Sequence, residues 1–209
     1  MDRKKDSIKK SYERITPFFY WLSKVFESKA RAKSLDLSEI ENGNLILIIA
    51  PPTEYYLDKL LELNSDGENH LMYFSNQLKR RAKERLGERY NYTASVGGLE
   101  KLPYENNKFD VIFAYCYLDF LEFKERKIAV EEIRRVLKMG GRLLVTYLAS
   151  PKNIIERMCV SFFTRFDFLS KGARVVEVEP VLKQTKFKNI KILYCPQKGF
   201  PVGLAYAEK

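Results

Sequence analysis

The sequence predicts a doubly wound α/β domain: a seven-stranded sheet, mostly parallel with a C-terminal antiparallel hairpin, and helices on both faces. Three observations predict it. Short apolar runs such as Leu45 to Ile49 alternate with amphipathic segments of helical period, the pattern of β-α units on a parallel sheet. Two alternating runs, 190–194 and 202–207, are joined only by the connection from Pro196 to Pro201, and adjacent strands so joined pair antiparallel. A chain of 209 residues, 45% hydrophobic, buries one sizeable core and is short for two.

The elements follow in order. Ile8, Tyr12, Ile15, Phe18, Phe19, Leu22, Val25 and Phe26 recur at steps of three and four residues, so residues 7–33 read as amphipathic helix, interrupted near Pro17. We assign 1–40 to an N-terminal helical cap and 41–209 to the α/β domain. A buried strand at 45–49 leads through a tight turn to a helix at about 54–63, and the polar run from Asn64 to Asn69 closes that unit. A strand at 71–74 precedes a helix from Gln77 to Leu86, with Ser75 placed to cap it. Further strands are expected at 92–96, 109–116 and 142–148, with a helix at 124–137 that Gly140-Gly141 is expected to end. Residues 151–172, rich in phenylalanine and basic side chains, read as a lid or insertion, and a last helix is placed near 176–185.

Composition excludes several classes. The odd count of 3 Cys, without paired spacing, argues against a disulfide framework and for a reducing, cytoplasmic setting. One histidine cannot build a metal site by itself. No apolar run approaches the ~18 residues of a membrane span, and the first ten residues lack the apolar core of a signal peptide. A net charge of +10 invites an anionic partner. Runs such as 79–85, however, are those expected of a solvated helix face, and no clustered basic and aromatic stripe supports nucleic-acid binding.

Two blocks carry a family resemblance. Leu102-Pro103-Tyr104-Glu105-Asn106-Asn107-Lys108-Phe109-Asp110-Val111-Ile112 and Glu132-Ile133-Arg134-Arg135-Val136-Leu137-Lys138-Met139-Gly140-Gly141-Arg142-Leu143 resemble "LPFxDxSFDxV" and "EIxRVLKPGGRL". Those segments belong to class I S-adenosylmethionine-dependent methyltransferases, above all the branch acting on ubiquinone and menaquinone precursors. Ser11 to Tyr20 is similar to that branch's "YDxIAPxYD" opening. The resemblance implies a Rossmann-like fold, S-adenosylmethionine as cofactor and a small, lipophilic acceptor.

It also implies where the cofactor sits, and there the chain departs from the family. In the family the first strand ends on an acid and a GxGxG turn. The equivalent positions here are Ile48 and Ala50, Pro52 and Glu54, within the turn Ala50-Pro51-Pro52-Thr53-Glu54. Glycine suits such a turn because a Cβ blocks close approach or forbids the backbone angles, and proline also removes a donor. The ribose-binding acid corresponds to Tyr73, followed by Phe74, and the adenine-binding acid to Gly98, followed by Leu99 and Glu100. Two lost charge-assisted contacts at ~1.5–3 kcal/mol each weaken cofactor binding by roughly 10² to 10⁴-fold.

The resemblance makes Tyr115, Tyr117 and Asp119, at the mouth of the fourth strand, the candidates for acceptor deprotonation. Aromatic packing under the cap is the plain alternative for the tyrosines, and capping or solvation for Asp119. Two functional readings stand together. One is a methyltransferase with altered cofactor binding; the other is a non-catalytic relative acting as a subunit, with a protein partner or a second copy of itself. Core packing is the plain reading for most of the aromatic segments at Phe18 to Trp21 and Phe162 to Phe168; the functional alternative is that they frame a pocket for an isoprenoid-type acceptor or rest on a membrane surface.

Overall fold

The computed structural model describes residues 28–49, 54–98, 100–165 and 173–209. Residues 7–27 of the helix predicted over 7–33, the turn residues Ala50, Pro51, Pro52 and Thr53, Leu99, and Phe166 and Phe168 lie outside the described residues, as do the side chains of Glu54 and Tyr55. The order is α1 (Ser28–Ser38), β1 (Leu45–Ile49), α2 (Glu54–Leu63), β2 (Glu68–Tyr73), α3 (Asn76–Leu86), β3 (Tyr92–Val96) and β4 (Phe109–Tyr115). A single 3₁₀ turn (Leu118–Phe120), α4 (Phe123–Val136), β5 (Leu137–Leu148), α5 (Ile154–Arg165), α6 (Val178–Gln184), β6 (Lys188–Tyr194) and β7 (Val202–Glu208) follow. The sheet has seven strands in the order β3-β2-β1-β4-β5-β7-β6. The first five are parallel, and β7 is antiparallel to both β5 and β6. The predicted fold class is the observed one.

Side-chain alternation along the strands divides the core into two layers. Ile46, Ile48, Leu71, Val111 and Phe113 pack with Leu57, Leu60 and Leu61 of α2, Leu86 of α3 and Leu35 of α1. On the other face Leu47, Ile49, Ile112, Ala114, Leu143 and Val145 meet Ala129, Val130, Ile133 and Val136 of α4 and Val178, Val181 and Leu182 of α6. Because both faces are covered, β1 needs no polar alternation, and all of Ile46 to Ile49 are fully buried. Ser75 caps α3 as expected, its hydroxyl accepting from the Leu78 amide at 3.2 Å.

Of the boundaries that differ from the sequence reading, two have a clear cause. β2 begins at Glu68, inside the predicted polar turn, because the buried Asn64 and Asn69 side chains take over the turn's hydrogen bonding. Asn64 Nδ2 donates to Asn69 Oδ1 at 2.9 Å, and Asn69 Nδ2 donates back to the Asn64 carbonyl at 3.1 Å. The helix α4 ends at Val136, and Gly140-Gly141 lies inside β5, where it was expected to end the helix. The last carbonyls of α4 are satisfied from elsewhere: the Asn107 and Lys108 amides donate to Arg135 and Val136 at 2.9 and 2.8 Å. No glycine cap is needed.

The two family-like blocks meet each other in space. Arg135 of α4 donates through Nη2 to the Leu102 carbonyl at 2.9 Å and through Nη1 to the Tyr104 carbonyl at 2.8 Å. Glu132 accepts from the Leu102 amide at 2.9 Å and from Arg135. That pair fixes the loop before β4. Its motif residues therefore serve the frame, at the end of the sheet opposite the predicted site. Among the described residues no helix is long and apolar enough to cross a membrane.

Candidate functional site

The chain runs outward from β1 through β2 to β3, then restarts at β4 and runs the other way to β5. The strand order therefore reverses between β1 and β4, and ligands of open α/β sheets bind beyond the carboxyl ends of the strands at such a reversal. Met72 of β2 and Ala114 of β4 are both level with Ile49 of β1. Phe74 lies just past β2 and Tyr117 just past β4, and their rings stack at 4.2 Å with planes 10° apart. β2 and β4 are separated by two strand spacings, ~9.5 Å, so the rings meet in front of the carboxyl end of β1. They rest on the layer that α4 covers. An aromatic stack thus stands at the carboxyl end of β1.

Cys116 makes the bend that sends Tyr117 there. It has φ +47°, a left-handed conformation uncommon for a residue with a Cβ and a form of strain often found at functional sites. Thr146 holds it: the Cys116 amide donates to the Thr146 carbonyl at 2.9 Å and to Oγ1 at 3.2 Å. Asp119 follows in the 3₁₀ turn. Its carboxylate is buried, 4% exposed, and both oxygens accept from the Leu148 amide at 3.1 Å. The solvated or capping role considered from sequence gives way to a buried strut between the 3₁₀ turn and the end of β5.

The other sequence-derived candidates scatter. Tyr115 turns to the opposite layer, 4% exposed, stacked on Phe113 at 5.8 Å, with its hydroxyl 3.4 Å from Ser34 Oγ and the Arg31 guanidinium 5.5 Å from its ring. It packs beneath α1. Tyr73 turns the same way, into the layer of α2 and α3. Burial pushes its hydroxyl pKa up, and that hydroxyl has no hydrogen-bond partner among the described residues. Gly98 is open to solvent and Glu100 is exposed. Glu54 opens α2. Of the residues singled out from sequence, the structure brings Phe74 and Tyr117 together, with Asp119 beneath the same edge.

Beside this stack, toward β5 and β7, the carboxyl edge holds a small apolar cavity of about 30 Å³, room for a water or two. Cys116, Phe120, Tyr147, Leu148, Phe163 and Phe200 are among its walls. Phe163 of α5 meets Phe200 edge-to-face at 5.2 Å. Gly203 is required behind it, since a Cβ there falls 2.3 Å from the Tyr147 ring. Burial first, and the nearby Asp119 carboxylate next, push the Tyr147 hydroxyl up to about 12, so it stays protonated at neutral pH. In the sequence Phe163 lies in the aromatic insertion and Phe200 in the connection between the last two strands. The cavity they form depends on the β5–β7 pairing, which places the start of β7 beside the end of β5.

This frame is the Rossmann-like fold found in S-adenosylmethionine-dependent methyltransferases. Residues 56–145 match the methyltransferase domain family. A ubiquinone/menaquinone biosynthesis C-methyltransferase, UbiE, of Ectopseudomonas mendocina is 32% identical over 147 residues, 68% of this chain and 56% of that protein. A methyltransferase structure from Aquifex aeolicus superposes with TM-score 0.65 at 17% identity, covering 88% of this chain and 90% of the other. The [4+2]-cyclase SpnF superposes with TM-score 0.74 at 16% identity, covering 97% and 94%. The chain is thus related to the class I methyltransferases, and within them it is similar to the UbiE proteins. It spans about half the length of the curated relatives it matches.

The fold implies S-adenosylmethionine, and the described residues fit that group in part. Phe74 and Tyr117 offer flat apolar faces at the strand reversal, suited to a purine ring. Tyr73 ends β2 and Gly98 lies just past β3, and neither supplies a carboxylate. Tyr73 is directed into the core.

Proposed function

We propose that the chain is a methyltransferase for a small lipophilic acceptor that holds S-adenosylmethionine by aromatic faces and backbone groups in place of carboxylates. The single observation that carries this reading is the aromatic stack of Phe74 on Tyr117 in front of β1, adjoining the apolar cavity. When bound, the cofactor supplies an activated methyl group. The chain's own part is positioning and exclusion of water. Phe74 and Tyr117 orient a flat ring, while Phe163 and Phe200 have to part to enlarge the cavity for an acceptor. Asp119 serves as a positioning residue, since its carboxylate is engaged by the Leu148 amide. The acceptor class suggested by the UbiE relatives is a lipophilic phenol or quinol.

The experiment is incubation of the purified protein with methyl-labelled S-adenosylmethionine and a prenylated quinol, followed by solvent extraction. Label in the organic phase, lost on Phe74→Ala, supports the reading. Absence of transfer at millimolar cofactor contradicts it.

A second reading, a non-catalytic subunit, is favoured by one specific observation. Rings 4.2 Å apart leave no gap for a third ring between them, so the stack also serves as a plug that keeps the cofactor out. In that reading removing Phe74 opens the seat and strengthens S-adenosylmethionine binding.

A further inference from the structure

The helix α5 presents an apolar face outward. Ile154, Ile155, Met158 and Phe162 are 69, 62, 67 and 63% exposed. At ~100° per residue these positions fall within one arc of roughly 100°. The inward arc carries Glu156 and Val160, both buried, and Phe163, which lines the cavity. Other strongly exposed apolar residues, Phe123, Ile128 and Met139, lie on α4 and near the start of β5.

The charge around this face is one-sided. Lys152, Arg157 and Arg165 are exposed at its borders. The one acid of the helix, Glu156, is withdrawn: it accepts from the Tyr194 hydroxyl and, at 2.6 Å, from the Lys152 amide. That contact also anchors α5 rigidly on β6. A second anchor is Gly199, packed so tightly against Cys159 and Ile155 that a Cβ there would meet them at 3.1 and 3.2 Å. The outward face is therefore fixed in orientation, apolar in its centre and basic at its edge.

We propose that α5 docks the protein on an anionic lipid surface, lying in the interfacial plane with Met158 and Phe162 inserted and Arg157 and Arg165 at the headgroups. Charge complementarity selects this occupant: an apolar stripe whose exposed charges, among the described residues from 151 to 165, are all cations matches a negatively charged bilayer surface. A second copy of the chain would bring cations against cations. The docked face stands back to back with Phe163, which lines the cavity from the same helix. The inference concerns the surface and stands without methyl transfer.

The test is flotation of the purified full chain with phosphatidylcholine vesicles, with and without phosphatidylglycerol, alongside analytical ultracentrifugation. The expected result is a bound fraction that rises about tenfold or more with the anionic lipid and falls with added salt. The double variant Met158→Glu/Phe162→Glu loses binding while keeping its circular dichroism and melting temperature, since both residues are exposed. Arg157→Glu/Arg165→Glu removes the preference for anionic lipid. Wild-type protein remaining in solution with both vesicles overturns the proposal, as does equal binding by the double variant. A concentration-dependent dimer that the double variant abolishes, without vesicle binding, also overturns it by assigning the face to a second copy.

Discussion

Phe74 and Tyr117 come from strands that do not touch, yet their rings lie parallel at 4.2 Å in front of the end of β1. This contact ties the two halves of the sheet across the strand reversal. Aromatic pairs contribute about 0.5–1.5 kcal/mol beyond area burial, so Phe74→Ala and Tyr117→Ala are expected to couple by that amount in a double-mutant cycle read from urea unfolding. Additive effects would show that the rings do not support each other.

Both Asp119 carboxylate oxygens hold the Leu148 amide. Asp119→Ala leaves a buried donor unpaired and is expected to cost about 2–3 kcal/mol. Asp119→Asn, which keeps one acceptor, costs less. If both variants unfold at the wild-type urea midpoint, the strut assignment fails.

Arg135 and Glu132 make the frame that the family-like blocks encode. Arg135→Ala strips the Leu102 and Tyr104 carbonyls of their donor, and a loss of about 2–3 kcal/mol is expected on chemical denaturation. The hydrogen bond from Arg135 is the largest cause holding the Glu132 carboxyl below its usual range. A carboxyl with a depressed folded pKa stabilises fully above its unfolded value of 4.5 and loses that contribution as pH falls through the folded value. Wild-type stability should therefore drop below pH 4.5 more steeply than that of Glu132→Gln, as followed by urea midpoints across acid pH.

At the alkaline end the tyrosines act. Tyr147, Tyr194 and Tyr206 are each pushed up to about 12, burial being the first cause in every case. The native state then keeps protons that the unfolded chain gives up, so stability is full below pH 10.0 and falls from there toward about 12. Tyr147→Phe should flatten part of this fall. An identical alkaline profile would remove Tyr147 from the account.

The fold was legible because its signals are local and repeated. Leu45 to Ile49 is a run that only a doubly covered strand explains, and the helix at 54–63 and the strand at 92–96 coincide with their sequence expectations. Gly140-Gly141 misled because the carbonyls at the end of α4 are satisfied by Asn107 and Lys108, a long-range supply that spacing does not reveal. The site was legible only as a neighbourhood. Tyr115 and Tyr117 are two residues apart and face opposite layers once Cys116 enters the left-handed region, a backbone choice with no residue-type signal. The partnership of Phe163 with Phe200 depends on strand pairing across the C-terminal hairpin.

The most direct test of the account is calorimetric titration of the wild type and Phe74→Ala with S-adenosylmethionine and S-adenosylhomocysteine. The account predicts weak but saturable wild-type binding, with a dissociation constant on the order of 1 mM after loss of two carboxylate contacts, and weaker binding by Phe74→Ala. Tighter binding by Phe74→Ala than by the wild type, or no heat with either protein at millimolar ligand, would contradict it.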